Sequence, residues 1–366
     1  MAPRRDLIPE PLPADAAPTP STNGGLGSDD AAAEVSLSRR FWTPQTLVSF
    51  AIAFAVLVLL FTRVQIDVQA TTRAVLSADP AYYLLALGVY YLVFPVRGLR
   101  WRRMLLNAGS GAEDIPKTGI LSEIIFLSWF VNCLVPAKLG DVYRAYLLKR
   151  RSAVSGSKAG GTILAERLLD LTTLLVLAGA AGLIALWGQR EKLETLVMPL
   201  EIVSAFVLLA VLGLLAMRLL SGWLHGRLPP RLRGFYVRFV EGAVGSFGNY
   251  HLIVPLSLLA WLAEAARLYL VVRALGLTLV PNPSVELAVV LAVALIGSLI
   301  TAIPLTPAGL GFVEFGIVWA LKLVGVGDQD AASIAFLDRT ISYASLVVFG
   351  LIAYLVGSRR GGWFKR

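Results

Sequence analysis

Residues 136–144 read Pro-Ala-Lys-Leu-Gly-Asp-Val-Tyr-Arg, and residues 307–314 read Pro-Ala-Gly-Leu-Gly-Phe-Val-Glu. Each string interrupts a long apolar region with a Pro and a Gly, the two residues that end helices. The flanks also repeat. Arg100 precedes Gly109 by nine residues and Arg267 precedes Gly276 by nine. Downstream lie Glu166-Arg167 and Asp338-Arg339, each near the start of a long apolar run. All three markers recur at an offset of about 170 residues, which predicts a duplicated unit over 81–187 and 251–357.

The surroundings of these strings are apolar throughout. Hydrophobic residues make up 57% of the 366 residues and charged ones 16%, below the roughly one quarter of a soluble domain. Mean hydropathy is +0.71. Spanning segments are predicted at 45–62, 81–97, 160–187, 196–217, 251–273 and 335–357. Regions 118–148 and 284–326 are the two interrupted ones. The fold class is therefore an all-α polytopic membrane protein, with about six full spans plus two Pro/Gly-broken, re-entrant elements in an inverted repeat.

The net charge of +9 is carried mainly between apolar runs, which marks cytoplasmic loops and speaks against nucleic acid as a partner. If 118–135 crossed once, one of the clusters Arg97/Arg100/Arg102/Arg103/Lys117 and Lys138/Arg144/Lys149/Arg150/Arg151/Lys158 would face outward. A dip and return keeps both inside. For 284–326, charge fits a hairpin or two full crossings equally. The same bookkeeping runs 81–97 inward and 251–273 outward, so the repeats are inverted. Residues 1–40, rich in Pro, Ala, Gly and Asp, read as a disordered cytoplasmic tail, and 358–366 as a basic cytoplasmic one. Both termini are then cytoplasmic and the expected location is a bacterial cell membrane. Cys133 is the single cysteine, and His225 and His251 are too few for a His-based metal site. No metal or other cofactor is expected.

Charges inside a bilayer are costly, about 2.5–3.5 kcal/mol each at the centre, so they face protein or a wet cavity. Those at Glu264, Arg267 and Glu286 read as structural pairs or span-end residues, and Glu123 is a further charge in an apolar run. Glu166 and Asp170, four apart, share a helical face and cannot both stay ionised in low dielectric without a cation. Gly140-Asp141-x-x-Arg144 and Gly309-x-Gly311-x-x-Glu314 follow the two breaks, where sharp turns and free N–H groups can meet a polar ligand. The substrate-binding candidates are Asn132, Lys138, Asp141, Arg144, Glu166, Arg167, Asp170, Pro307, Gly309, Gly311, Glu314, Asp338 and Arg339. No catalytic residue is assigned.

Pro304-Leu-Thr-Pro-Ala-Gly-Leu-Gly-Phe-Val-Glu314 resembles the Pro-x-x-Pro-Gly-Gly-x-Gly-x-x-Glu signature of the lysylphosphatidylglycerol synthase transmembrane-region family. Asn132-x-x-x-Pro136, Gly140-Asp-x-x-Arg144, Glu166-Arg167-x-x-Asp170 and Arg97-x-x-Arg100-Trp101 are similar to that family too. Ala308 stands where Gly is more usual, and Asp141 where Glu is common. The resemblance implies the flippase-like membrane half, without the soluble synthase domain. It implies movement of a membrane lipid with a polar or anionic headgroup: a phospholipid, glycolipid or isoprenoid-type lipid. Arg144 and Arg167 would then meet an anion, while Glu166, Asp170 and Glu314 hold a cationic group or a coupling proton. The alternatives are a non-transporting partner of lipid-biosynthesis enzymes, or a membrane enzyme of the lipid-linked glycosyltransferase type. A homo-oligomer and a biosynthetic-enzyme partner both fit the sequence.

Overall fold

The computed structural model describes residues 44–63, 66–136, 138–185, 190–219, 227, 229–302 and 306–359. The expected tails, residues 1–40 and most of 358–366, lie outside these, as do Pro304 and Leu305 of the family-like signature. The described residues are helical apart from short connections. In order they are α1 (Pro44–Arg63), α2 (Val68–Leu76), α3 (Pro80–Asn107), α4 (Thr118–Leu134), α5 (Leu139–Arg151), α6 (Gly156–Ala185) and α7 (Arg190–Leu219). There follow α8 (Pro230–Gly245), α9 (Tyr250–Ala274), α10 (Pro283–Ala302), a 3₁₀ turn (Pro307–Gly309), α11 (Phe312–Leu323) and α12 (Asp328–Arg339). A π-helical turn (Thr340–Ser345) then leads into α13 (Leu346–Arg359).

Five of these stretches are long and apolar enough to cross a membrane: α3, α6, α9, α10 and the run Asp328–Val356. Shorter apolar stretches occupy Thr46–Leu60, Thr118–Leu134 and Val207–Leu219. In the second interrupted region the two limbs are unequal. α10 is of crossing length, whereas α11 has 12 residues, about 18 Å, and falls short of a ~30 Å hydrocarbon core. Large apolar side chains such as Leu84, Leu92, Val176, Leu209 and Ile352 are exposed, as a lipid-facing surface requires.

The two breaks sit where the sequence puts them. α4 stops at Leu134 and α5 starts at Leu139; α10 stops at Ala302 and α11 starts at Phe312. Asn132 Oδ1 accepts from the Gly140 amide at 2.8 Å, and Ser128 Oγ donates to the Gly140 carbonyl at 2.8 Å. Both backbone groups of Gly140 are thus held by α4. A Cβ at Gly140 would collide with the Ser128 carbonyl and the Asn132 side chain. Gly140→Ala is therefore expected to destabilise by about 1–3 kcal/mol. Gly88→Ala, whose Cβ would meet nothing within 4 Å, should gain about 0.5–1 kcal/mol from helix propensity. Thermal unfolding of the two variants in detergent tests the opposite signs.

The units are related element by element. α3 pairs with α9; α4 packs on α13 as α10 packs on α6; α5 packs on α6 as α11 packs on α12. Such exchanged contacts are what a two-fold relation between the units produces. The sense of that relation is fixed by two hydrogen bonds. The Asp79 amide, at the start of α3, donates to the Ala274 carbonyl at the end of α9 at 2.7 Å. Asn107 Nδ2, at the end of α3, donates to the Ser246 carbonyl just before α9 at 3.0 Å. Equivalent helices α3 and α9 are antiparallel. The likeness also extends upstream of 81 and 251, since α2 packs on α12 as α8 packs on α6.

One element of the charge reckoning is corrected. Arg97 and Arg100, counted with the cytoplasmic loop 97–117, lie inside α3 with 2% and 0% exposure, and Arg144 is 1% exposed on α5. α3 continues ten residues past the expected span end, to Asn107. Buried carboxylates from α6 compensate these arginines, an option invisible to a rule that counts basic residues between apolar runs.

Candidate functional site

A cavity of about 390 Å³ lies between the two breaks, walled by α3, α4, α5, α6, α9, α10, α11, α12 and the start of α13. Its apolar walls include Tyr90, Trp129, Leu174, Trp261 and Ile317. Its polar wall holds five cations, Arg97, Lys138, Arg167, Arg267 and Arg339, and four carboxylates, Asp141, Asp170, Glu264 and Asp338.

These charges are tied into two matching networks, one per repeat. In the first, Arg100 of α3 bridges both α6 acids. Its Nη2 donates to Glu166 Oε1 at 2.9 Å, and its Nη1 to Asp170 Oδ1 at 2.6 Å and to Ser257 Oγ at 2.9 Å. The cation that Glu166 and Asp170 require for joint ionisation is thus supplied by the protein. Arg144 Nη2 reaches Glu166 Oε2 at 2.7 Å, with its guanidinium 3.7 Å from the centre of the Trp101 ring. Arg97 contacts Asp170 at 3.3 Å, flanked by Trp129 and Trp261 at 5.0 and 4.9 Å. Arg167 grips Asp141 with two bonds, Nε to Oδ2 at 2.9 Å and Nη2 to Oδ1 at 2.6 Å.

In the second repeat, Arg267 Nη2 lies 3.3 Å from Asp338 Oδ1 and 3.2 Å from Glu264 Oε2. Arg339 Nε donates to Glu314 Oε1 at 2.8 Å, and its Nη2 to the Ala308 carbonyl at 3.2 Å. Glu314 Oε2 takes the Gly311 amide at 2.7 Å, closing the first turn of α11. The correspondence is direct. In each acid–Arg dipeptide the acid pairs with the arginine of the long helix, and the Arg pairs with the acid in the first turn after the break. Charge-assisted bonds of this kind rigidly couple each break to its neighbouring helices.

Seven of the thirteen candidate residues line the cavity: Asn132, Lys138, Asp141, Arg167, Asp170, Asp338 and Arg339. Arg144 and Glu166 sit behind the wall, buried and paired with each other. Pro307, Gly309, Gly311 and Glu314 belong to the second break's backbone support. Three charged wall residues were absent from that set: Arg97, Glu264 and Arg267. The available signal was the repeat itself, in which Arg267 corresponds to Arg100. Glu123 and Glu286 lie elsewhere, paired with Arg151 at 3.1 Å and Arg273 at 2.5 Å. No group of three or more His, Cys, Asp or Glu among the described residues is arranged to hold a metal ion.

The model of the lysylphosphatidylglycerol synthase TM region matches residues 16–350, nearly the whole chain. The chain belongs to that family. Family relatives include a UPF0104 membrane protein of Methanocaldococcus jannaschii, 32% identical over 63% of this chain and 95% of the relative. A UPF0104 membrane protein of Methanothermobacter thermautotrophicus is 27% identical over 82% of this chain and 90% of its own. Glycosyltransferase AglD of Haloferax volcanii is 26% identical over 93% of this chain, which spans 60% of AglD. With the apolar helices, family membership establishes an integral multi-pass membrane protein. These three relatives are archaeal, so the similarity supports the membrane setting and not a bacterial one.

Proposed function

We propose that this member of the lysylphosphatidylglycerol synthase transmembrane family is a lipid translocator of the cytoplasmic membrane, with both termini on the cytoplasmic side. The carrying observation is the charged cavity between two inverted, broken repeats. Broken elements meeting between inverted halves suit alternating access, since either half can rock against the other around one polar site. The headgroup of an amphiphile would enter the cavity while its acyl or isoprenoid chains remain against the exposed apolar helices. The glycosyl transfer named for AglD stays with that longer protein; what is inferred here concerns the shared membrane region.

Vesicles carrying the purified protein and a fluorescent phospholipid test this by the rate at which inner-leaflet label moves to the outer leaflet and is quenched there by a membrane-impermeant reductant. Protein-dependent movement is expected, and Arg167→Ala, which frees the Asp141 end of α5, should slow it by about tenfold. Lack of movement beside co-purification of a lipid-biosynthesis enzyme would favour the partner role instead.

A further inference from the structure

Lys138 sits in the first break with φ 52° and ψ 36°, the left-handed region that disfavours side chains with a Cβ. In register with Pro136/Pro307 and Gly140/Gly311, its counterpart in the second break is Gly309, with φ 70°. At the aligned position the second repeat thus has glycine, with Ala308 beside it also left-handed at φ 45° and ψ 31°, while the first repeat keeps a long charged side chain there. Such an outlier calls for something the side chain does.

What surrounds it supplies the reason. The two networks comprise six arginines (97, 100, 144, 167, 267, 339) and six carboxylates (141, 166, 170, 264, 314, 338). They balance. Lys138 lines the same cavity, and among the described residues no ion pair or hydrogen bond holds its ammonium. It is the surplus charge of the site. The balance is also uneven between repeats: the first contributes four of the arginines and three of the acids, the second two and three. The positive end of the cavity thus lies on the Lys138 side.

We propose that Lys138 is the anion-binding residue of the cavity, and that it holds a singly charged oxyanion of the phosphodiester kind. Resting on the translocator reading, this assigns the headgroup contact to Lys138, whereas Arg144 and Arg167 are already committed to Glu166 and Asp141. A monoanion neutralises the one uncompensated cation. A neutral headgroup would leave it unpaired in a low-dielectric site, which is unfavourable.

The decisive variant is Lys138→Gly, which copies the second repeat. It removes the ammonium and also relieves the left-handed backbone, so its melting temperature should equal or exceed that of the wild type. The probes are dioctanoyl phosphatidylglycerol and the uncharged dioctanoylglycerol, titrated onto the full chain in neutral detergent and read by native mass spectrometry. Wild type should prefer the phospholipid by about tenfold. Lys138→Gly should abolish that preference without changing diacylglycerol binding, and Lys138→Arg should restore most of it. If inorganic phosphate competes, the oxyanion alone is recognised; if only the phospholipid binds, the lipid-borne phosphodiester is the ligand. Either result supports the assignment. Unchanged phospholipid binding in Lys138→Gly, or equal loss of both lipids, overturns it. Binding selectivity without transbilayer movement would overturn the translocator reading alone; movement indifferent to Lys138→Gly would overturn this inference alone.

Discussion

Arg100→Ala should lower unfolding stability by about 3–5 kcal/mol, because it strips a shared cation from two buried carboxylates. Arg100 is fully buried and its guanidinium serves Glu166, Asp170 and Ser257 at once. Without it, Asp170 retains only Arg97 at 3.3 Å and Glu166 only Arg144 at 2.7 Å. Two carboxylates four residues apart on one helix would then face each other, Asp170 without two of its bonds and Glu166 without one. Because the bonds run from α3 to α6 and on to Ser257 of α9, the loss would loosen the join between repeats as well as the first repeat itself. Thermal unfolding in detergent should show the drop. Combining Arg100→Ala with Glu166→Gln and Asp170→Asn should recover a large part of it, because the main penalty is buried charge left unpaired. Failure to recover would mean that the arginine acts by shape, through the volume it fills in the buried interior.

Glu314→Ala should cost about 3–5 kcal/mol for a related reason. Both carboxylate oxygens are engaged: one holds the Arg339 Nε and the other the Gly311 amide. Its removal leaves a buried guanidinium and an unsatisfied N–H at the start of a 12-residue helix too short to stabilise itself. Glu314→Gln should be milder, since the amide oxygen can keep one of the two bonds. Faster hydrogen exchange confined to α11 and the preceding turn would mark the local nature of the damage. Uniform loss across the chain would instead point to a global role.

How far the sequence led can be judged at these same residues. The Pro-Ala-x-Leu-Gly strings located both breaks to within a few residues, since Pro and Gly act on the local backbone whatever surrounds them. The acid–Arg dipeptides were flagged as charged groups in apolar runs. Their partners were not legible, because Arg167 meets Asp141 across 26 positions and Arg339 meets Glu314 across 25, on separate helices. Arg97 and Arg100 were misplaced in a loop for the same reason. A basic residue next to an apolar run looks cytoplasmic until a buried acid is brought against it.

By itself, the sequence determined the membrane fold class, the order of the helices, the two breaks and the duplication, all of which follow from apolar length, periodicity and helix-breaking residues along the chain. The antiparallel run of α3 and α9 agrees with the direction that loop charge predicts, whereas the tertiary structure alone decided that six arginines and six carboxylates cancel and that Lys138 is left over. Pairing depends on distances between helices remote in sequence, and the low dielectric between them makes each pairing matter.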